Sequence, residues 1–306
     1  KWVEVHDPYA LSSDANSGHS YVIARKKISK PIQRAASQVK PTEAVIYEMS
    51  VRDFSMQKEA GFSQPGKFAS LSESPTVHGQ TFGLKYLQDL GITHVQLMPV
   101  YDFGSVDEKH PELVYNWGYD PVQYNVPEGS LSSDPHDPYS RIFELQDAIA
   151  AYHQADMSVI MDVVYNHVYE ADAYAFEKIV PGYFYRLDEQ GLRTNGTFCG
   201  NDVASEKAMV RHYIQQSVQQ WVSLYGFDGF RFDLMGILDI TTMKQIAQEL
   251  KDIHPNIYLY GEGWQMPTGL NSDLLAHQFN AEQLPEYGFF SDHFRDTIKQ
   301  TIVQGS

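Results

Sequence analysis

Three short stretches of the sequence close on residues able to do acid–base chemistry. "DVVYNH" carries Asp162, Asn166 and His167, "FRFDLMG" carries Arg231 and Asp233, and "LYGEGW" carries Glu262 and Trp264. Each follows an apolar run of the kind that forms a buried strand. On a strand, side chains alternate between faces, so Arg231 and Asp233 share one face while Phe230, Phe232 and Leu234 share the other. If the strands are parallel neighbours, their C-terminal ends converge on one rim. Strands in a sheet lie roughly 4.8 Å apart, which places carboxylates at adjacent strand ends about 5 Å apart. That spacing suits a retaining glycosidase, where one carboxylate attacks and the other supplies a proton. Asp233 is the expected nucleophile, kept ionised by Arg231 through attraction and hydrogen bonding. Glu262 is the expected proton donor, in apolar surroundings supplied by Tyr260 and Trp264.

The elements that must position these groups follow from periodicity. Strands are expected at Ala44–Val51, Thr93–Val100, Ser158–Val168, Gly226–Gly236 and Asn256–Trp264. Helical patterns separate them at 82–91, 139–154, 206–226 and 241–254, with a last one at 292–303. Strands alternating with helices imply right-handed crossovers and a parallel sheet. No glycine-rich phosphate loop joins the first strand to its helix, which disfavours a dinucleotide fold. Long excursions at 101–139 and 169–204 follow strand C-termini, where a (β/α)8 TIM barrel builds its active site. Only about the first five β/α units of such a barrel are legible. Residues 1–40 lack this rhythm and read as short β-like pieces and a linker, with the barrel occupying 41–306.

Composition narrows the function. The 306 residues carry a formal net charge of -16, and no long basic run is present. Nucleic acid and an anionic membrane surface are therefore disfavoured partners. Cys199 is the single cysteine, which excludes an intrachain disulfide and a cysteine metal cluster; it reads as a small buried residue. Asn201 and Asp202 read equally as cleft-lining residues or as loop caps for the following helix. The stretch "YNWGYDP" (Tyr115–Pro121) offers aromatic faces for the C–H side of a pyranose and polar groups for its hydroxyls. The compartment, cytoplasmic or extracellular, is left open.

Together these motifs, in this order, resemble the α-amylase superfamily of retaining glycoside hydrolases (glycoside hydrolase family 13). "YNWGYDP" makes the resemblance specific to type I pullulanases, the starch debranching enzymes. It covers about residues 41–306, while residues 1–40, with "VHDPYA", are similar to the tail of a β-sandwich starch-binding module. The resemblance implies hydrolysis of α-1,6 branch linkages in pullulan, amylopectin, glycogen or limit dextrins. It implies Asp233 as nucleophile and Glu262 as acid/base. Arg231 would orient Asp233, Asp162 and His167 would hydrogen-bond the sugar on the non-reducing side of the cut, and Tyr119 would stack on it. Trp264 would shape the acceptor side. No cofactor is required. Asn166 matches a position that ligates calcium in many α-amylases; no metal is expected at that asparagine, although the family leaves room for a structural calcium. The family's third catalytic aspartate, on strand seven, falls outside this chain. The fragment alone is therefore expected to be inactive without the remaining C-terminal part of its barrel.

Overall fold

The computed structural model describes residues 2–37 and 39–304. Six parallel strands form one sheet: β1 (Ile46–Met49), β2 (His94–Leu97), β3 (Ser158–Val163), β4 (Gly229–Phe232), β5 (Tyr258–Gly261) and β6 (Gly288–Phe289). Spatial order equals chain order, so each strand is laid beside the one before it. This is the arrangement of a partial (β/α)8 barrel. Helices fill the crossovers: α1 (Gly83–Asp89), α2 (Ser140–Gln154), α3 (Ala208–Gln220) and α4 (Ile240–Ile253), with α5 (Asp292–Gln304) after β6.

The sequence supports these elements for simple reasons. Every residue of β2 and of β4 is buried, as expected for parallel strands covered on both faces. In α4 the buried residues Ile240, Met243, Ile246, Ala247 and Leu250 recur at helical spacing, and the Asp239 side chain caps its start by accepting from the Thr242 amide at 3.0 Å. Such a stripe packs one helix face on the sheet, and the cap satisfies one of the free N-terminal amides. A π-helical turn at Trp221–Tyr225 extends α3 and stops at Gly226, whose φ of 90° is left-handed.

Two differences from the sequence reading matter for the site. The sheet has six strands rather than five. β6 is two residues long, too short to show an alternating pattern. The third and fourth strands also stop early, at Val163 and Phe232. Asn166, His167 and Asp233 therefore stand on the turns that leave the sheet, where backbone direction is free to change.

A two-stranded antiparallel ribbon, Tyr101–Phe103 with Pro121–Pro127, flanks the excursion that carries the YNWGYDP turn. Residues 2–37 lie along the barrel with a 3-10 turn at Ala15–Ser17 and a helical turn at Arg25–Ile28. Arg34 fastens this segment by donating to the Asp228 carboxylate at 2.6 Å and the Gly226 carbonyl at 2.8 Å. Cys199 is exposed, contrary to expectation, because it lies at the tip of the 169–204 excursion.

Candidate active site

The register places the chemistry. Asp162 on β3 pairs with Arg231 on β4, which pairs with Tyr260 on β5. One residue past β4, the Asp233 amide donates to the Val163 carbonyl at 2.9 Å; one residue past β5, the Glu262 amide donates to the Phe232 carbonyl at 3.0 Å. The ladder thus continues just far enough to fix both carboxylate-bearing residues side by side. Beyond Asp233 the chain turns sharply. Leu234 takes a left-handed conformation (φ 39°, ψ 46°), which is strained for a branched residue. The turn aims its amide at the Glu262 carboxylate, 3.3 Å away. Gly236 lets the turn lie against the next loop, since a Cβ there would meet the Trp264 carbonyl at 1.9 Å.

A single guanidinium gathers the acids. Arg231 Nη1 lies 3.0 Å from Asp162 Oδ1 and 2.9 Å from Asp233 Oδ1, and Nη2 lies 2.8 Å from Glu262 Oε1. Arg231 and Asp233 are each 8% exposed, and Asp162 is fully buried. Three carboxylates around one cation leave two negative charges uncompensated if all are ionised. In a poorly solvated site that excess is costly, so the cluster favours holding protons. Burial raises the Glu262 carboxyl, Arg231 opposes that shift and the Asp233 charge adds to it. Burial likewise pushes Asp162 up to about 8, against the pull of Arg231. Geometry separates the two. Both Asp162 oxygens already accept hydrogen bonds, Oδ1 from Arg231 and Oδ2 from the Tyr119 hydroxyl at 2.7 Å. Glu262 Oε2 accepts a long bond from Leu234, and so has room for a proton.

Tyr119 reaches the cluster from the YNWGYDP turn, and the Arg231 guanidinium lies 5.8 Å from its ring centroid. His167 does not point freely into the cluster. Its Nε2 meets the Tyr119 carbonyl at 2.9 Å and its Nδ1 meets Asn166 Oδ1 at 2.6 Å. Burial lowers its pKa while the Asp233 charge opposes that shift; both facing atoms are acceptors, so a neutral ring donates to one of them at a time and only a protonated ring to both. Trp264 lies on the rim beside Glu262, half-buried, with the Arg295 guanidinium 5.3 Å from its ring centroid.

Asn166 emerges as a positioning residue for Asp233. Its Nδ2 donates to the Asp233 carboxylate at 2.9 Å and to the Asp233 carbonyl at 2.8 Å. The signal lay in "DVVYNH", but only the turn after β3 shows where the amide points. Asp202 accepts bonds from Thr194, Thr268 and the Gly196 and Thr197 amides. It holds the second excursion together.

Residues 56–189 match the model of the α-amylase catalytic domain. The chain is 45% identical over 301 residues to a pullulanase of Bacillus subtilis (strain 168), covering 98% of this chain and 42% of that protein. The chain belongs to the α-amylase family. Among solved structures, it matches a pullulanase from Anoxybacillus sp. LM18-11 complexed with maltotetraose at a TM-score of 0.95 and 47% identity, covering 97% of this chain and 44% of that one. A pullulanase from Paenibacillus barengoltzii in complex with maltohexaose and α-cyclodextrin matches at a TM-score of 0.93 and 46% identity, covering 97% of this chain and 47% of that one. The chain thus spans less than half the length of these α-amylase family relatives, and the strand-end cluster lies within the shared part.

Proposed function

We propose that the protein to which this chain belongs hydrolyses α-1,6-glucosidic branch linkages in pullulan, amylopectin, glycogen and related dextrins, with retention of configuration. The observation that carries this reading is the single guanidinium that holds Asp233 and Glu262 on neighbouring nitrogens at adjacent strand ends. In the first step Glu262 gives its proton to the glycosidic oxygen while an Asp233 oxygen attacks the anomeric carbon. The bond to the leaving glucan breaks and a glycosyl–aspartate ester forms. Glu262, now a carboxylate, then takes a proton from water, which attacks the same carbon and releases the sugar with Asp233 restored. Asn166 and Arg231 aim Asp233. Asp162 takes hydroxyls of the sugar being transferred, His167 takes one in exchange for its contact with the Tyr119 carbonyl, Tyr119 stacks on the sugar, and Trp264 faces the acceptor chain.

In the same reading, residues 1–40 are the tail of a β-sandwich module with its linker. The test uses the full-length protein and pullulan. Asp233→Asn should abolish release of maltotriose while oligosaccharide binding persists. Undiminished turnover would remove Asp233 from its role, and failure of the unmodified protein to cut pullulan would move the substrate elsewhere in the family.

A further inference from the structure

The tip of the 169–204 excursion carries a side chain that the strand-end chemistry leaves unused. Phe198 is 75% exposed, and its backbone is left-handed with φ at 62°. Among the described residues, six that are not glycine have positive φ. Asn16, Ser17, His78 and Asp156 are polar. The two apolar ones are Leu234, whose turn aims an amide at Glu262, and Phe198. This conformation is strained for a bulky residue, and such strain gathers at functional sites. No burial offsets it at Phe198, because most of the side chain meets solvent. Glycine would hold the same turn without strain, as Gly200 does two residues on at φ 87°.

The tip is held in a definite place. The Phe198 amide donates to the Asn195 carbonyl at 3.3 Å, and the Gly200 amide to Asn195 Oδ1 at 2.7 Å. Beneath it, buried Asp202 accepts from the Gly196 and Thr197 amides at 2.8 and 2.9 Å. On one side the tip is sewn to the turn after β3. There the Val203 amide donates to the Asn166 carbonyl at 2.9 Å, and Asn201 exchanges hydrogen bonds of 3.0 and 2.9 Å with the Val168 backbone. On the other side it docks on the loop after β5. Thr268 Oγ1 donates to Asp202 Oδ2 at 2.6 Å, and a Cβ on Gly196 would meet the Pro267 carbonyl at 2.2 Å. The tip thus joins the turn of Asn166, which holds Asp233, to the loop of Trp264. Desolvation of its thiol and then the Asp233 charge raise the pKa of Cys199, exposed as that residue is, so the tip lies within electrostatic reach of Asp233.

An exposed ring fixed in this way offers an apolar face to the C–H side of a pyranose. We propose that Phe198 is a specificity-determining residue that stacks on a glucose unit of the acceptor chain, on the Trp264 side of the cut. This rests on the α-glucan hydrolase reading above. The experiment uses the full-length protein and two substrates. Pullulan places sugars on both sides of the cut, whereas α-maltotriosyl fluoride has none on the acceptor side. Phe198→Asn removes the ring but tolerates the left-handed turn. It should lower kcat/KM on pullulan about tenfold, mainly through KM, and leave hydrolysis of the fluoride within about twofold. Phe198→Trp should restore cleavage of pullulan, and the Tm of the asparagine variant should be no lower than that of the unmodified protein. A merely structural phenylalanine would instead lower Tm and leave the ratio of the two activities unchanged. Unchanged kcat/KM on pullulan, or an equal loss on both substrates, would overturn the role of Phe198 alone. Failure of the unmodified protein to cut pullulan would overturn it together with the branch-linkage reading.

Discussion

The molecule repeats one charge inventory in two places: three carboxylates around one arginine. At the strand ends Asp162, Asp233 and Glu262 surround Arg231; under the ribbon Asp102, Glu108 and Glu128 accompany Arg141. What differs is access. Glu262 keeps a quarter of its side chain in solvent (23%), whereas Glu108 has 1%. An acid cluster beside water can trade protons with a substrate. An acid cluster sealed from water is driven to hold its protons, and burial raises all three of these carboxyls. Equal composition therefore leads to chemistry in one case and to structure in the other, with burial as the deciding variable.

The sharpest break between them is at the proposed nucleophile. Asp233→Asn in the full-length protein should lower kcat by about 10⁴-fold or more, measured as reducing ends released from pullulan; the matching Asp102→Asn should leave kcat within about twofold. Next comes Glu262→Gln, expected to cost about 10³-fold. Its sign with pH is definite. The acid must be protonated, and its pKa is raised by burial. Activity should thus persist above the ordinary carboxylate range and fall as pH climbs past the raised value; the variant's pH–rate profile should lose that alkaline limb. On the sealed side, Arg141→Met should destabilise the protein by about 3–5 kcal/mol, since it leaves Glu108 buried without its cation. Chemical denaturation would measure this, and a loss no larger than for an exposed arginine would contradict it.

Smaller effects sharpen the contrast further. Arg231→Lys keeps the charge but cannot bridge carboxylates with two nitrogens. It should reduce kcat/KM by about 10²-fold with folding intact by circular dichroism. Gly129→Ala should cost about 1–3 kcal/mol through overpacking against Glu108, with activity on pullulan retained after refolding.

Much of this was readable in advance. Alternation of apolar strands and amphipathic helices gave five of the six strands, because buried parallel strands are long enough in sequence to stand out. β6 escaped because two residues carry no period. The strand-end acids were legible as types in order, and Tyr119 as part of an aromatic turn. Their wiring was not. That Asn166 holds Asp233, or that the amide of a left-handed Leu234 reaches Glu262, depends on where the chain leaves the sheet, and backbone direction at a turn has little imprint on one sequence. The ribbon cluster was invisible for another reason. Asp102, Glu108 and Glu128 are scattered single acids in an acidic chain, and only the pairing of Tyr101–Phe103 with Pro121–Pro127 brings them together.

Because Arg231 touches Asp162 and Glu262 at once, neither of these two titrates alone. Removing a proton from one changes the hold of the guanidinium on the other, so ionisation constants read from kinetics are properties of the pair. Altering Asp162, which takes no part in bond breaking, should therefore shift the pH at which Glu262 stops donating.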